Sequence, residues 1–496
     1  MKKYLLFLVG IVSLVSFGQD GSLDTSFGDG GILQTDIDGD SDMAVSIGQQ
    51  ADGKLLVAGK FIMQGQEFPS IARYTLDGLL DASFSDDGVA FITDIEYQFG
   101  SFTKIMSQSN NKLIAGATFN INSEEKYIIH RFLEDGTVDT NYGDNGKIII
   151  FPEKMYGGDF LLLNDDSLLA GGIVYENNKR KVGLKKYLAN GTLDTSFGNN
   201  GIVITDAGDD SSAVIKMAFG PENSVIVFAT SESNGVYSKI LLRYTSDGLL
   251  DTSFGNNGLV SIVTEPDFIA NNMAVYNDGK VAITSNFYDY QLEQMSNRIL
   301  RYLPNGNLDT TFGSNGSLNP GINNFLIRKI EAQQNQRLLV FGELTDFFEG
   351  GGPFFMIRYK LGGYVDTSFN FNTNSSEVFV SDMILQQDGK IVCLANTAWY
   401  NGQEDIIIER HFNNPLSVPE FENQKITVYP NPSNGIFTIE REFYSEKEAY
   451  QITDVTGKII STGELGDKQS QIDLSTAQSG VYFLRTSNSV FRLLKN

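Results

Sequence analysis

Leu23-Asp24-Thr25-Ser26-Phe27-Gly28 decides the reading of this 496-residue chain, because the same pattern returns six more times. It stands as Leu80-Asp81-Ala82-Ser83-Phe84 and as Val138-Asp139-Thr140-Asn141-Tyr142-Gly143. It then opens at Leu193-Asp194, Leu250-Asp251, Leu308-Asp309 and Val365-Asp366, each followed by Thr-Ser-Phe or Thr-Thr-Phe. The aspartates lie 57, 58, 55, 57, 58 and 57 residues apart, so one supersecondary unit is copied along the chain. Within the signature, Asp is expected to cap a single helical turn holding Thr and Ser, Phe to drop into the core, and Gly to end the turn with positive φ. A second glycine follows as Gly31, Gly88, Gly146, Gly201, Gly258 and Gly316. In the last copy Asn370 and Thr373 stand where the two glycines belong, which predicts a looser turn there.

Between signatures each unit offers four strand candidates, exemplified by 32–35, 44–49, 55–61 and 70–74. Asp52-Gly53, Asp278-Gly279 and Asp388-Gly389 supply hairpin turns between the second and third. A basic-aromatic pair ends the fourth: Arg73-Tyr74, Arg131-Phe132, Lys186-Tyr187, Arg243-Tyr244, Arg301-Tyr302 and Arg358-Tyr359. His411-Phe412 is expected in that place in the final unit. Four strands per unit and seven units predict an all-β fold, a seven-bladed β-propeller of four-stranded blades. The composition agrees, with 50 Gly, 35 Phe and 21 Tyr against 11 Pro. The first signature has no fourth strand before it, and the last fourth strand, 406–412, has no signature after it. These complementary ends predict a ring closed by the N-terminal segment, not an open solenoid with polar caps.

The G-x-L-D-x-x-F-G-x-x-G signature, together with D-G-K and R-Y, resembles the delta-60 repeat family of β-propeller proteins over residues 21–412. The resemblance implies an architecture and assigns no catalytic residue.

After Asn413 the repeat stops. Residues 414–424, with Pro415 and Pro419 and no apolar period, read as a linker. Tyr429-Pro430-Asn431-Pro432, the hairpin Asp454-Val455-Thr456-Gly457, Ile472-Asp473-Leu474 and Gly480-Val481-Tyr482-Phe483-Leu484-Arg485 then mark short strands and turns of a small β-sandwich. Residues 425–496 closely resemble the C-terminal sorting domain of type IX secretion substrates. That resemblance implies passage across the outer membrane of a Bacteroidetes-type bacterium, with the type IX secretion machinery as partner. A small adhesive sandwich is the other reading of the same residues.

The chain carries a formal charge of −24, while its last 72 residues hold eight basic and eight acidic side chains, so the acidity belongs to the repeats. Such a surface repels phosphate backbones, which argues against nucleic acid as a partner. Residues 1–18 read as a signal peptide: Lys2 and Lys3, an apolar run over 4–15, then Ser16 and Gly18. No later run approaches the ~20 apolar residues of a transmembrane helix. The mature chain is therefore expected to be soluble, secreted or attached to the outer cell surface. Cys393 is the only cysteine and aligns with Val57, as a small buried hydrophobe would.

Chemistry is sparse. Only His130 and His411 exist, both on fourth strands, and no metalloprotease, nucleophile-elbow, phosphate-loop or C-x-x-C motif occurs, so no catalytic site is expected. Asp36, Asp38, Asp40 and Asp42 alternate around Gly39 and are candidate calcium ligands. They lack the terminal glutamate of an EF-hand, and a solvated acidic loop is the alternative. No other cofactor is expected. Tyr288, Tyr290, Phe347, Phe348, Trp399 and Tyr400 fall in the variable connections between third and fourth strands. These connections should lie on the end of the ring opposite the D-G turns and signatures, where aromatics serve a contact surface or pack under their own loops. The expectation is a binding module for an extracellular protein or glycan. The alternatives are an extracellular polysaccharide-acting propeller enzyme and a structural surface-layer component.

Overall fold

The computed structural model describes residues 20–39, 41–93, 98–121, 124–150, 158–177, 179–208, 211–262, 272–289, 294–344, 352–375, 377–397, 404–413, 426–441, 448–465, 469–486 and 490–496. The signal-peptide segment lies outside them. Among the described residues the one helical turn is Pro221–Asn223, and no helix is long and apolar enough to cross a membrane.

After β1 (Ile32–Thr35), strands come in sets that pair in chain order. The first set is β2 (Met43–Gln49), β3 (Leu55–Met63), β4 (Gln66–Tyr74) and β5 (Val89–Phe91). The second is β6 (Gln98–Ser107), β7 (Leu113–Ile121), β8 (Glu124–Phe132) and β9 (Lys147–Ile149). Next come β10 (Asp159–Leu162), β11 (Leu168–Glu176), β12 (Lys179–Tyr187) and β13 (Ile202–Thr205), and β14 (Ser211–Phe219), β15 (Val225–Ser233), β16 (Val236–Tyr244) and β17 (Leu259–Ile262). A single parallel pair, Arg180 with Ser211, merges these two sets into one sheet. Then follow β18 (Met273–Val275), β19 (Val281–Asp289), β20 (Gln294–Tyr302) and β21 (Ser317–Leu318), and the three-stranded β22 (Phe325–Ala332), β23 (Leu338–Leu344) and β24 (Phe354–Tyr359). The last set, β25 (Val378–Leu385), β26 (Ile391–Thr397) and β27 (Ile406–His411), takes β1 as its outer strand, with Ile32 opposite Glu409 and Thr35 opposite Ile406.

This pairing corrects the grouping read from the sequence. Strand 32–35 does not begin the sheet of 44–74. It finishes the preceding sheet, and each signature turn carries the chain from a fourth strand to its own outer partner. The inner strands contact one another in order, with Lys104 linking β6 to β10, and β25 contacts β2. Val392, Leu394, Ile406 and Ile408 of the last set share a core with Leu55 and Val57 of the first. The two ends of the repeat region are thus joined both edge to edge and face to face.

The signature folds as a single tight turn that Asp24 caps and Gly28 ends, as expected, and it continues into no helix. The Ser26 amide and hydroxyl donate to Asp24 Oδ1 at 3.2 and 2.7 Å, the Phe27 amide donates to the Asp24 carbonyl, and the Phe27 ring is fully buried. Gly28, with φ +54°, is needed because a Cβ there would lie 2.2 Å from the Ile32 carbonyl oxygen. Where Asn370 replaces this glycine, no outer strand follows β24 among the described residues, in keeping with the looser turn expected.

The C-terminal residues form two further sheets. One orders β28 (Ile426–Tyr429), β29 (Ile436–Arg441) and β32 (Gln469–Asp473). The other orders β31 (Ile459–Leu465), β30 (Glu448–Asp454), β33 (Gly480–Arg485) and β34 (Val490–Lys495). Phe437, Ile439, Ile452, Ile472, Leu484 and Leu493 from the two sheets make one core, which is a small β-sandwich.

Candidate functional site

The three recurrent motifs meet at one end of the ring. Arg73 Nε donates to Asp81 Oδ2 at 2.8 Å, Lys54 of the D-G-K hairpin reaches the same oxygen at 3.0 Å, and the guanidinium lies 4.6 Å over the Phe84 ring. Its remaining nitrogens bond Ser83 Oγ and the carbonyl of Glu134 in the next set. Arg131 with Lys112 and Asp139 repeats this arrangement, as do Arg301 with Asp309 and Arg358 with Asp366. In the final unit the structure corrects the expected pair. Val392 faces Arg410 and Ile391 faces His411, so Arg410 is the basic member and His411 takes the aromatic's place. Arg410 bonds Asp24 at 2.8 Å and the Leu76 carbonyl at 3.0 Å, so the same latch closes the ring across 386 residues. His411 sits between Glu409 and the Gly21 carbonyl, stacked on Phe371. The signature residues are therefore engaged in holding neighbouring sheets together.

The inner strands carry the chemistry that the sequence did not disclose. Register shifts at Ala44/Ser46, Phe102/Lys104, Val214/Lys216, Ile327/Lys329 and Val380/Asp382 mark a β-bulge in five of them. The residue after each bulge, with its register equivalents Asp159 and Asn272, forms a girdle around the channel: Ser46, Lys104, Asp159, Lys216, Asn272, Lys329 and Asp382. Lys104 Nζ bonds Asp159 Oδ1 at 2.6 Å, and Asp159 Oδ2 accepts the Met217 amide at 2.7 Å. Lys329 Nζ bonds Asp382 Oδ1 at 2.6 Å, and Asp382 Oδ2 accepts the Ser46 hydroxyl and the Ile47 amide, each at 3.2 Å. Burial opposes ionisation of Asp382, yet Lys329 holds its carboxyl below the usual carboxylate range. Lys216 makes no ion pair among the described residues, and its ammonium is pushed down by burial and by Lys329. Glu331, two residues beyond Lys329, is pushed up by burial, against the pull of Lys329.

Beside the girdle, toward the end opposite the signatures, lies a pocket of about 340 Å³ lined by Asn272, Asn286, Arg328 and Ser381 with Val45, Leu326, Ile327 and Val380. One second-strand position, of which Asn286 lines the pocket, ties the neighbouring inner strands in three consecutive sets. Asn396 bonds both the amide and the carbonyl of Ala44 on the next inner strand, at 2.8 and 2.9 Å. Glu343 accepts the Val380 amide at 2.5 Å and two Arg328 nitrogens at 3.0 and 2.6 Å. Asn286, 1% exposed, donates to the Ile327 carbonyl at 3.3 Å, while its Oδ1 has no partner among the described residues. Bonding of Nδ2 to a carbonyl oxygen fixes which end of this amide is which. A signal for the pocket existed in the sequence, because Asn286, Glu343 and Asn396 align with Lys60, Thr118, Ile173 and Thr230 at a strand-interior position.

The candidate aromatics are placed only in part. Tyr288 lies on β19 opposite Met295, at the end nearest the β19–β20 connection, while Tyr290, Phe347, Phe348, Trp399 and Tyr400 lie outside the described residues. Of the four candidate calcium ligands, Asp40 also lies outside them. Asp36 Oδ1 accepts the Gly39 amide, and Asp38 Oδ2 accepts the Gln64 amide at the β3–β4 turn. Asp42 is fully buried, takes the Ile37 amide on Oδ2 and leaves Oδ1 unpaired. Burial, with Asp36 and Asp405 nearby, pushes its carboxyl up to about 7. No group of three or more His, Cys, Asp or Glu side chains able to hold a metal occurs among the described residues. Cys393 is buried in the core of the last set, and burial pushes its thiol well up.

Five stretches, 50–84, 108–142, 163–197, 223–254 and 277–312, match the family described as Domain of unknown function (DUF5122) beta-propeller. Residues 427–495 match the Secretion system C-terminal sorting domain. No curated protein sequence matches. Among solved structures, the chain is similar to PorZ, an essential bacterial surface component of the type-IX secretion system of Porphyromonas gingivalis. The identity is 12% and the TM-score 0.38, over 94% of this chain and 61% of that one. It is also similar to the polysaccharide lyase Uly1, at 10% identity and a TM-score of 0.49, over 79% and 96% of the two chains. Drosophila Semaphorin 2a is similar at 7% identity and a TM-score of 0.43, over 94% and 97%.

Proposed function

We propose that this chain, which carries DUF5122 propeller repeats followed by a type IX secretion C-terminal sorting domain and is exported to the cell surface or beyond it, is a non-enzymatic binding module. Its ring is read as seven blades, and its partner, an extracellular protein or glycan, is met by the end carrying the β3–β4-type connections.

The observation that carries this reading is the contrast between the two ends. At one end Asp81, Asp139, Asp309 and Asp366 repeat the same pairing with an Arg and a Phe or Tyr, leaving little side-chain chemistry free for recognition. At the other, the connections differ from unit to unit and lead to a pocket whose polar groups are not repeated. A recognition surface requires that variety, whereas a scaffold turn tolerates little of it. The absence of catalysis is supported by Asp159 and Asp382, each tied to a lysine and to backbone amides and so unsuited to act as a free acid or base.

The test is a glycan and protein-partner binding screen with the purified chain, repeated with Trp399 and Tyr400 both changed to Ala. A contact role predicts nearly unchanged thermal stability and a loss on the order of 2 kcal/mol in binding. A melting temperature that collapses, or binding that is unaffected, removes these two residues from the contact face.

A further inference from the structure

We propose that the channel-mouth pocket bounded by Asn272, Asn286, Arg328 and Ser381 binds a hydroxylated carboxylate of the sugar-acid class. The proposal deepens the reading above and rests on it in taking the variable end as the contact face.

Arg328 fixes the acidic part of the ligand. It is the extra residue of the β22 bulge, its side chain is 39% exposed, and Glu343 holds it through Nε and Nη2. A guanidinium has five N–H groups in one plane, so a positioned fork of donors remains for a carboxylate. The surrounding charge favours the same sign. Lys104 pairs with Asp159, Lys329 with Asp382 and Arg328 with Glu343, which leaves Lys216 as the cation without a described counter-ion. Glu331 makes no ion pair among the described residues either, and burial disfavours its charge as it does that of Lys216. A narrow channel focuses such a charge, in a chain whose overall charge of −24 would otherwise repel an anion.

Asn286 fixes the rest. Its Oδ1 is an acceptor in a residue 1% exposed and has no partner among the described residues, so a ligand that reaches it gains by bringing a donor. A sulfate ion has only acceptors and cannot satisfy it, and an ammonium donor is disfavoured beside Lys216 and Arg328. A hydroxyl next to a carboxylate meets both demands. The pocket's 340 Å³ is at the small end of the ~300–1,000 Å³ range of small-molecule sites, the scale of a sugar ring more than of an extended chain.

Titration calorimetry of the full chain with D-glucuronate and D-galacturonate tests this, with D-galactose and inorganic sulfate as controls. Saturable binding of at least one uronate is expected, with both controls at least tenfold weaker. Lys216→Met, which breaks no described ion pair, should weaken uronate binding at least tenfold while keeping the melting temperature, and Arg328→Gln should weaken it as much but lower the melting temperature, because it strands the buried Glu343 carboxylate. A galacturonate trimer that binds more tightly than the monomer identifies the end of a polysaccharide as the source, and a trimer that is excluded identifies the free acid. Failure of both uronates to bind, equal binding of galactose, or unchanged binding in Lys216→Met overturns the proposal. Uronate binding that survives in the Trp399 and Tyr400 double variant, after a partner is lost, separates this site from the wider contact face.

Discussion

Asp309 and Arg301 show what the repeated signature does at the scale of single residues. Both side chains are at most 2% exposed, and their 2.8 Å pair sits over the Phe312 ring. Removing one partner of a buried pair strands the other charge, so Asp309→Asn should cost about 3–5 kcal/mol in chemical denaturation. Asp194→Asn, whose partner Lys186 is 21% exposed, should cost no more than about 1 kcal/mol. The signature carboxyls Asp24, Asp81, Asp139, Asp194, Asp251, Asp309 and Asp366 are all held below the usual range despite burial, by their Ser or Thr partners (for Asp139 the Asn141 amide) and nearby Lys or Arg. A group depressed on folding stabilises above its unfolded pKa of about 4 and loses that contribution as pH falls through the folded value. The melting temperature should therefore drop steeply below about pH 4. Asp42 has the opposite sign: raised to about 7, it binds its proton more tightly in the folded chain, so its contribution fades as pH climbs from about 4 to about 7. Asp42→Asn should flatten that part of the melting profile. Both halves of the Arg–Asp latch were legible as motifs. Their pairing was not, because it depends on the chain turning back eight residues later, and in the last unit on a register that puts Arg410 and not His411 on the aspartate.

At the scale of elements, β1 matters most, because it is the one outer strand supplied from the far end of the chain. Ile32 to Thr35 pair with Glu409 to Ile406, and ahead of them Gly21 and Asp24 bond the carbonyls of Phe412 and Arg410. Asp20 also bonds Arg358, which reaches Asn413 at 2.9 Å, so both termini of the ring converge on one guanidinium. Deleting residues 19–35, which removes β1 itself, should lower the melting temperature by several degrees and make 378–411 the first segment cut in limited proteolysis, since β27 becomes an open edge. An unchanged melting curve would argue for an open array. The strands themselves were legible from alternating apolar residues and D-G turns. Their grouping slipped by one strand because the outer strand of each sheet follows its signature turn and so reads as the start of the next unit. The capped turn was legible from its Asp, and it stops after one turn because Gly28 takes a positive φ directly after the buried Phe27. The bulges left no mark in the sequence, since one extra residue in a strand becomes visible only against its partner.

For the whole molecule, two cores and one charge boundary decide what can be separated. The core of the C-terminal sandwich is made only of residues from Val428 onward, while those of the repeats run from Phe27 to Ile408. The acidity lies with the repeats, and the last 72 residues are balanced at eight basic and eight acidic side chains. The polar girdle belongs to the ring alone, since its members stand about one repeat apart. Each looked unremarkable within its own unit, and only superposing all the inner strands reveals them as a set. The repeats and the sandwich thus have separate cores, and the sandwich is the part that matches the sorting domain. A chain ending at Asn413 should keep the melting temperature and the partner binding of the full chain but accumulate in the periplasm, as fractionation and surface labelling of cells would read. The contribution of the sandwich to ring stability should be close to zero, because Asn413, the last described residue before it, already closes the ring by bonding Arg358, Gln333 and the Gly389 carbonyl. Normal surface delivery of the shortened chain would show that the export signal lies within the repeats. A fall in its melting temperature of more than a few degrees would show instead that the sandwich braces the ring, and that the two modules are one cooperative unit.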